Sequence, residues 1–270
     1  MTRSCLFAAM LAAAALLPRA ALAEELADIK AAGKLVCGVT GTIAPFGFQD
    51  GETRAIVGYD VDICAAVAKQ LGVKAELKIV AVESRIPELV QGRVDIIAAQ
   101  MGYSRERAEQ IGYSDTYFVS QVKLIVREDS GAKSIADLAN KKMSAVKGSS
   151  PERAMREQIP TAQILTFQDV PAAFLAMQQG KTVGMAASEV ILVKLRQQAE
   201  VSLQILEKPL FLEYWGLGVR KSEPQFTAAV NTALNAIDQS GEFDTIWDRW
   251  FGPKTQFPLK REFKVAPIPQ

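Results

Sequence analysis

KLVCGV, residues 34–39, is followed after a loop by DVDICAAVAKQL, residues 60–71, and these two segments decide the fold class. The first is a short continuous apolar run, which is typical of a buried strand. In the second, Asp60 stands at the N-cap position and Gly72 ends the helix, and the apolar side chains recur at helical spacing. The same alternation of strand and helix continues along the chain, which predicts an α/β fold with mainly parallel sheets.

A second folding unit is inserted into the first. The apolar strand at residues 122–126 opens this second unit, and the strand at residues 217–220 resumes the first. We therefore predict one lobe from residues 24–118 plus 214–270 and another from residues 119–213. The chain then crosses between the lobes twice, near Phe118 and near Glu213, and two short crossings form a natural hinge.

The first 23 residues have the pattern of a secretory signal peptide. A positive start at Arg3 precedes an apolar run, Pro18 breaks the run, and residues 21–23 read Ala-Leu-Ala. The run is too short to cross a bilayer comfortably, which argues against a membrane anchor. Cleavage after Ala23 and export to the periplasm are therefore expected.

Composition narrows the function classes. The chain has 31 basic and 30 acidic residues, and removing Arg3 and Arg19 with the leader leaves 29 basic ones. This balance does not favour a nucleic-acid partner, which usually needs a basic face. The chain has no histidine, which excludes Ser-His-Asp and Cys-His catalysis and argues against zinc. No cofactor and no metal are expected.

Two cysteines remain after the predicted cleavage. Cys37 lies in the first strand and Cys64 on the apolar face of the following helix. In an oxidising compartment they could form a disulfide, and they could equally be two small buried side chains. The sequence leaves both possibilities open.

Two helix starts and one strand end are candidate anion sites. Residues 104–107, Ser-Arg-Glu-Arg, open a helix after a strand, where free N–H groups and the helix dipole attract anions. Arg107 could grip a carboxylate with two hydrogen bonds, or it could be a solvated surface arginine. Residues 148–151, Gly-Ser-Ser-Pro, repeat the arrangement, with Ser150 as an anion ligand or simply the N-cap.

Arg85 is the third candidate. It follows a predicted strand, and ligands of open α/β sheets bind at the carboxyl ends of strands. The alternative is an ion pair with Glu83 or Glu88. The aromatic residues are expected in the core rather than around a ligand: Phe46, Phe48, Tyr59, Trp247, Trp250 and Phe251.

In order along the chain, a set of short motifs resembles the periplasmic amino-acid-binding proteins of ABC importers, bacterial extracellular solute-binding protein family 3. Each motif is weak alone, but the ordered set covers nearly the whole mature chain. The motifs lie at residues 33–39, 44–46, 58–62, 85–89, 92–95, 105–109, 113–117 and 241–243 and at Trp247. The resemblance implies a two-lobe periplasmic-binding-protein fold of type II, in which two crossover strands form a hinge and the lobes close around a ligand.

The resemblance also implies roles for particular residues. The family's carboxylate-binding arginine falls on Arg107, and its glycine-hydroxyl turn falls on residues 148–150, with Ser149 and Ser150 as the hydroxyl residues. An arginine seen in binders of acidic amino acids falls on Arg85. Other family positions are changed here: Ser188, followed by Glu189, replaces the aspartate that holds an α-ammonium group, Gly102 replaces a serine or threonine, and Val82 and Ile43 replace aromatic residues.

These implications favour the solute-binding component of an ABC transporter. The expected ligand is an amino acid, held by Glu189 or by backbone carbonyls in place of the missing aspartate, or a small carboxylate without an α-ammonium group. The expected protein partner is a membrane permease, and the binding protein itself is expected to be monomeric and not an enzyme. The alternative is a periplasmic enzyme that resembles cyclohexadienyl dehydratase, with Glu189 as its general acid.

Overall fold

The computed structural model describes residues 24–269, so the predicted signal peptide lies outside the described residues. The first part of the fold contains α1 (Glu24–Ala32), β1 (Lys34–Val39), β2 (Thr42–Ile43), β3 (Gly47–Gln49), β4 (Ile56–Val57), α2 (Tyr59–Leu71), β5 (Lys74–Ile79), α3 (Arg85–Val90), β6 (Ile96–Ile97) and α4 (Arg105–Gln110). None of the helices within residues 24–269 is long and apolar enough to cross a membrane.

The chain continues through a long strand into a second group of elements. These are β7 (Ile111–Arg127), β8 (Lys142–Val146), α5 (Ser150–Gln158), β9 (Gln163–Phe167), α6 (Val170–Gln178), β10 (Gly184–Ser188), α7 (Glu189–Gln198) and β11 (Leu203–Ile205). A second long strand, β12 (Phe211–Arg220), leads back to α8 (Pro224–Gln239) and α9 (Glu242–Phe251). The α/β alternation expected from the sequence is therefore present.

One curled sheet runs through the molecule in the order β5-β1-β6-β12-β7-β10-β8-β9, and β11 also pairs with β7. The strands at both ends of this order are parallel to their neighbours, whereas β7 and β12 are antiparallel to each other. We call the part around β5, β1 and β6 the first lobe and the part around β10, β8 and β9 the second lobe. Strands β7 and β12 pass from one lobe to the other. The residue boundaries of the lobes stay a prediction.

The core of the first lobe contains a cluster of packed aromatic side chains. Phe118 stacks on Trp215 with ring centroids 4.6 Å apart and on Trp247 at 5.5 Å, and Tyr59 packs edge-on against Trp247. Burying such large side chains is a major source of stability. Of the six aromatic residues expected in the core, four are buried and two are half-buried: Phe46, Tyr59, Trp247 and Phe251 in the first group and Phe48 and Trp250 in the second.

Two capping predictions were wrong. Gly58 caps α2 instead of Asp60, which lies inside the first turn and is fully buried. Its carboxylate accepts hydrogen bonds from the Gln100 backbone N–H at 3.1 Å and the Tyr117 hydroxyl at 2.9 Å. Ser149, not Ser150, caps α5, because its Oγ accepts from the Glu152 N–H at 3.2 Å. The Asp60 carboxylate and the Ser150 hydroxyl, which accepts a hydrogen bond from Arg107 Nη1 at 2.8 Å, thus serve long-range contacts that local sequence does not specify.

Cys37 and Cys64 meet in the core between β1 and α2. Both are fully buried, and they form a disulfide pair with Cα atoms 6.5 Å apart. This Cα separation lies within the range that such a bridge can span. Titration of free thiols in unfolded, unreduced protein is the measurement that tests the bridge.

Candidate functional site

A cavity of about 60 Å³ lies where the two lobes face each other beside β12. Six of the nine ligand-binding residues predicted from the sequence line it: Ile43, Val82, Arg85, Ser149, Ser150 and Ser188. A larger open groove of about 790 Å³ lies on the second lobe around residues 133–139, 158–161 and 204–208. That groove brings together side chains of one lobe only, so the small cavity is the stronger candidate for a site that a hinge could control.

Arg107 joins the two lobes. Ser104 caps α4 by accepting a hydrogen bond from the Arg107 N–H at 3.2 Å, as predicted, and this cap fixes the start of the helix. The guanidinium Nη1 donates to Gly102 O at 2.9 Å and to Ser150 Oγ at 2.8 Å, and Nη2 donates to Gly148 O at 3.0 Å. Arg107 is only 9% exposed, so it is not a solvated surface arginine.

Arg85 is held by backbone carbonyls. Nε donates to Val82 O at 2.8 Å, and Nη1 donates to Ala99 O at 2.6 Å and Gln100 O at 3.0 Å. The alternative ion pairs with Glu83 or Glu88 are not formed. Burial and, to a smaller extent, the nearby Arg107 charge together lower the Arg85 pKa to about 9, although the Glu213 carboxylate acts in the opposite direction. The site therefore contains two buried cations close to each other.

The second lobe faces these cations with neutral groups. Ser150 Oγ accepts from Arg107, and the backbone turn before it approaches the first lobe closely. Gly148 has φ 73°, and a Cβ there would lie 2.8 Å from Glu83 Cα. Only glycine fits this position without moving one lobe away from the other.

Ser188 and Glu189 separate at the end of β10. Ser188 lines the cavity and accepts a hydrogen bond from Ser120 Oγ at 2.8 Å. Glu189 does not line the cavity, because it turns to Lys123 and forms an ion pair at 2.7 Å. Of the two predicted residues, only Ser188 is placed to meet a ligand.

The remaining predicted residues fall into two groups. Ile43 and Val82 line the cavity with apolar surface and are 4% and 9% exposed. Gly102 is not part of the lining, although its carbonyl accepts from Arg107 and from the Tyr113 hydroxyl at 3.1 Å. The space that a side chain would take at Gly102 is filled by the Glu213 carboxylate.

Sequence reasoning missed two polar residues of the cavity. Gln100 follows the strand β6, has φ 48°, and donates from Nε2 to Asp60 at 3.0 Å. Glu213 lies on β12 and is 5% exposed. The signal for Glu213 in the sequence is an acidic residue within an otherwise apolar segment, next to the predicted crossing between the lobes. From the sequence alone, this position serves only to place the hinge.

Comparison with known proteins agrees with this geometry. The sequence profile described as "Bacterial extracellular solute-binding proteins, family 3" matches residues 35–253. The glutamine-binding protein GlnH of an ABC transporter from Bacillus subtilis is 32% identical over 231 residues, which cover 84% of each chain.

Solved structures give the same result. An ancestral arginine-binding protein bound to arginine has a TM-score of 0.77 and 30% identity, covering 82% of this chain and 99% of that one. The ancestral amino-acid-binding protein AncCDT-1, described as a precursor of cyclohexadienyl dehydratase, has a TM-score of 0.77 and 29% identity, covering 84% of this chain and 99% of that one. The chain belongs to the bacterial extracellular solute-binding proteins, family 3.

Proposed function

We propose that this protein is the extracytoplasmic solute-binding component of an amino-acid ABC transporter and that it binds an amino acid or a related small carboxylate in the cavity between its lobes. The observation that carries the proposal is the position of Arg107. Arg107 is not itself among the residues that line the cavity, but its guanidinium contacts Gly102 of the first lobe and the cavity-lining Ser150 of the second. A buried guanidinium with several N–H donors suits a carboxylate.

Binding of a carboxylate at Arg107 would favour closure of the lobes. Ser150 Oγ and the Gly148 carbonyl already reach the guanidinium from the second lobe. A ligand that touches both walls stabilises the closed state by its differential affinity for the two states. The short crossings of β7 and β12 would act as the hinge. Closure around the ligand and later opening would let the protein deliver the ligand to a membrane permease.

Arg85 supports a polar or acidic group elsewhere on the ligand. Its Nε and Nη1 are bound to backbone carbonyls, and the side chain lines the cavity. The relatives named above are described as binding glutamine or arginine. This range supports an amino acid as the ligand class without selecting one side chain.

The N-terminal sequence supports the location of this activity. Residues 1–23 have the charge, apolar run and small-residue site of a signal peptide, with cleavage after Ala23. The mature protein would meet its ligand in the periplasm and act there as a monomer.

A thermal-shift screen of the refolded mature protein tests the proposal. Protein that begins at Glu24 would be unfolded and refolded to remove any molecule bound during expression, then mixed with single amino acids and organic acids. A ligand that binds only the native state raises the melting temperature in a concentration-dependent way. A rise of the melting temperature with one amino acid or carboxylate, confirmed by calorimetry, supports the proposal. An unchanged melting temperature with every amino acid and every organic acid contradicts it.

The similarity to AncCDT-1 makes a dehydratase the second candidate, and the same protein preparation tests it. The predicted general acid Glu189 is paired with Lys123 outside the cavity, which weakens this candidate. Incubation with arogenate and prephenate, followed by ultraviolet absorbance of the aromatic product, should give no turnover. Product formation above the rate without protein would favour the enzyme.

A further inference from the structure

Glu213 is the one acidic side chain among the described residues that line the cavity. It is 5% exposed, and its Oε2 accepts a hydrogen bond from Trp215 Nε1 at 2.8 Å. Its Oε1 is also buried and has no hydrogen-bond partner within residues 24–269. A buried carboxylate oxygen without a donor is costly, so this atom is suited to accept a hydrogen bond from a bound molecule.

The backbone around Gly102 is shaped to admit this carboxylate. The Tyr103 N–H donates to Tyr214 O at 2.9 Å, and Gly102 bridges to Trp215, which hold the segment against β12. Glu213 Oε1 occupies the place that a Cβ of residue 102 would take. The absence of a side chain at Gly102 and the presence of an acid at Glu213 are therefore complementary.

Glu213 also lies on the same face of the sheet as Ser188, offset by two residues along β7. Ser120 is the direct cross-strand partner of Glu213, and directly opposite side chains lie on the same face of a sheet. The Ser120 hydroxyl donates to Ser188 Oγ on the next strand. The carboxylate that is absent at Ser188 is thus present at Glu213, two strands away on the same face.

We infer that Glu213 binds the α-ammonium group of the ligand and makes the site specific for α-amino acids over carboxylates that lack this group. The inference rests on the proposed function. It explains two departures from the family pattern at once: Gly102 stands in place of a serine or threonine, and Ser188 stands in place of an aspartate.

The positions of the charges decide between the α-ammonium group and a cation on the ligand side chain. Arg107 Nη1 donates to Gly102 O at 2.9 Å, and Glu213 Oε1 occupies the place that a Cβ of the same residue would take. The guanidinium and the carboxylate therefore both lie next to residue 102. The carboxylate and ammonium of an α-amino acid are attached to one carbon and are also side by side. A side-chain ammonium or guanidinium would lie several bonds farther from the carboxylate.

Calorimetric titration of matched ligands into wild-type protein gives the first test, which requires no variant. The three pairs are L-glutamine and 4-carbamoylbutanoate, L-arginine and 5-guanidinopentanoate, and L-glutamate and glutarate. In each pair the second molecule lacks only the α-amino group. For the pair whose amino acid binds, we expect the amino acid to bind roughly 30-fold or more tightly, the effect of losing one partner of a buried charge pair. Equal affinities would overturn the inference.

The variant Glu213→Gln gives the second test, because glutamine keeps the size of the side chain and an acceptor for Trp215. It should lose roughly 30-fold or more in affinity for the amino acid and change little for its partner without the amino group. Glu25→Gln is the matched control, since Glu25 is also 5% exposed with one buried carboxylate oxygen that lacks a partner. Glu25 is not among the residues that line the cavity, so its substitution should leave both affinities unchanged.

The outcomes separate the inference from the proposed function. Wild-type protein that binds an amino acid, with an affinity that Glu213→Gln does not change, overturns the inference and leaves the function standing. An equal loss for L-arginine and 5-guanidinopentanoate would assign Glu213 to the side-chain cation that both molecules carry, and would overturn the inference as well. Wild-type protein that binds no molecule of the thermal-shift screen contradicts the proposed function, and the inference with it.

Discussion

The two walls of the cavity differ in charge. The first-lobe wall contains Arg85, and Arg107 lies outside the lining but donates a hydrogen bond to Ser150, which is part of it. The second-lobe wall contributes hydroxyl groups and apolar surface, with no charged side chain among the described residues that line it: Val146, Ser149, Ser150, Pro151, Val170, Ala186, Ala187, Ser188 and Ile191. Glu213 lies between the walls on a crossover strand. The charge of the site is therefore concentrated on one side and at the hinge.

This difference suggests an order of events in binding. A charged ligand gains most from the wall that carries the complementary charges, so it would bind the first lobe before closure. The second lobe would then add neutral hydrogen bonds and exclude water, which strengthens the charge interactions already formed. A neutral second wall also avoids burying charges that would lack a partner in the open state.

Among the substitutions discussed here, replacing Arg107 should reduce ligand affinity the most. Arg107→Met keeps much of the side-chain volume but removes the charge and every N–H donor from the first-lobe edge of the cavity. Loss of one partner of a buried charge pair costs about 2–5 kcal/mol, or roughly 30-fold to 5,000-fold in affinity. Calorimetry with the amino acid found in the screen measures this loss.

The neighbouring arginine is the control for that experiment. Arg105 lies in the same first turn of α4 and is exposed. Arg105→Met removes the same charge from the protein without touching the cavity, so its affinity should stay within about twofold of wild type at physiological salt. Equal losses in both variants would mean that only the net charge matters and that Arg107 has no special place.

Local patterns predicted much of the fold, and the long crossover strands show where they fail. The strand at residues 34–39 has the bounds that the sequence predicts, because its apolar run is nearly continuous. Strand β7 continues through Ser114 and Ser120, which are polar but buried. Ser114 Oγ accepts from the Leu217 N–H at 2.7 Å, a long-range contact that no local pattern contains.

The same distinction applies to the site. Arg107 and Ser150 could be found because each lies in the first turn of a helix, where an anion-binding role follows from the local sequence. The sequence marks Glu213 as an unusual acid but does not give its role, because that role depends on its contact with Gly102 from a distant part of the chain. The place of Glu189 was also decided by a long-range partner, Lys123.

Gly102→Ala tests the close contact between residue 102 and the Glu213 carboxylate on the crossover strand. The new methyl group would collide with the Glu213 carboxylate and push it from its place in the cavity. Overpacking of this kind costs about 1–3 kcal/mol in stability, and we expect a loss of affinity of roughly 5-fold to 150-fold if Glu213 binds the ligand. Denaturant unfolding and calorimetry measure the two effects. Gly51→Ala is the control, because a Cβ at residue 51 meets nothing within 4 Å.

The buried carboxyl group of Asp60, behind the first-lobe wall, should make the stability of the protein depend on pH. Burial raises its pKa from 3.8 to about 6, against the hydrogen bonds from Gln100 and Tyr117. The folded state then binds the proton more tightly than the unfolded state, so this residue lowers stability as pH rises from about 4 to 6 and adds no further change above that range. Relative to Asp60→Asn, wild type should lose about 1.4 kcal/mol of unfolding free energy per pH unit within that window. Parallel stability curves for the two proteins would contradict the assignment.

The smallest expected effects separate two adjacent serines on the second-lobe wall. Ser149 caps α5 and Ser150 accepts a hydrogen bond from Arg107, so the first supports the helix and the second faces the charged wall. Ser149→Ala should lower the unfolding free energy by about 0.5–2 kcal/mol. Ser150→Ala should instead weaken ligand binding by roughly 3-fold to 10-fold, the net effect of one typical hydrogen bond. Each variant is the control for the other, and a reversal of the two effects would show that the helix cap, not the hydroxyl at Arg107, sets affinity on this wall.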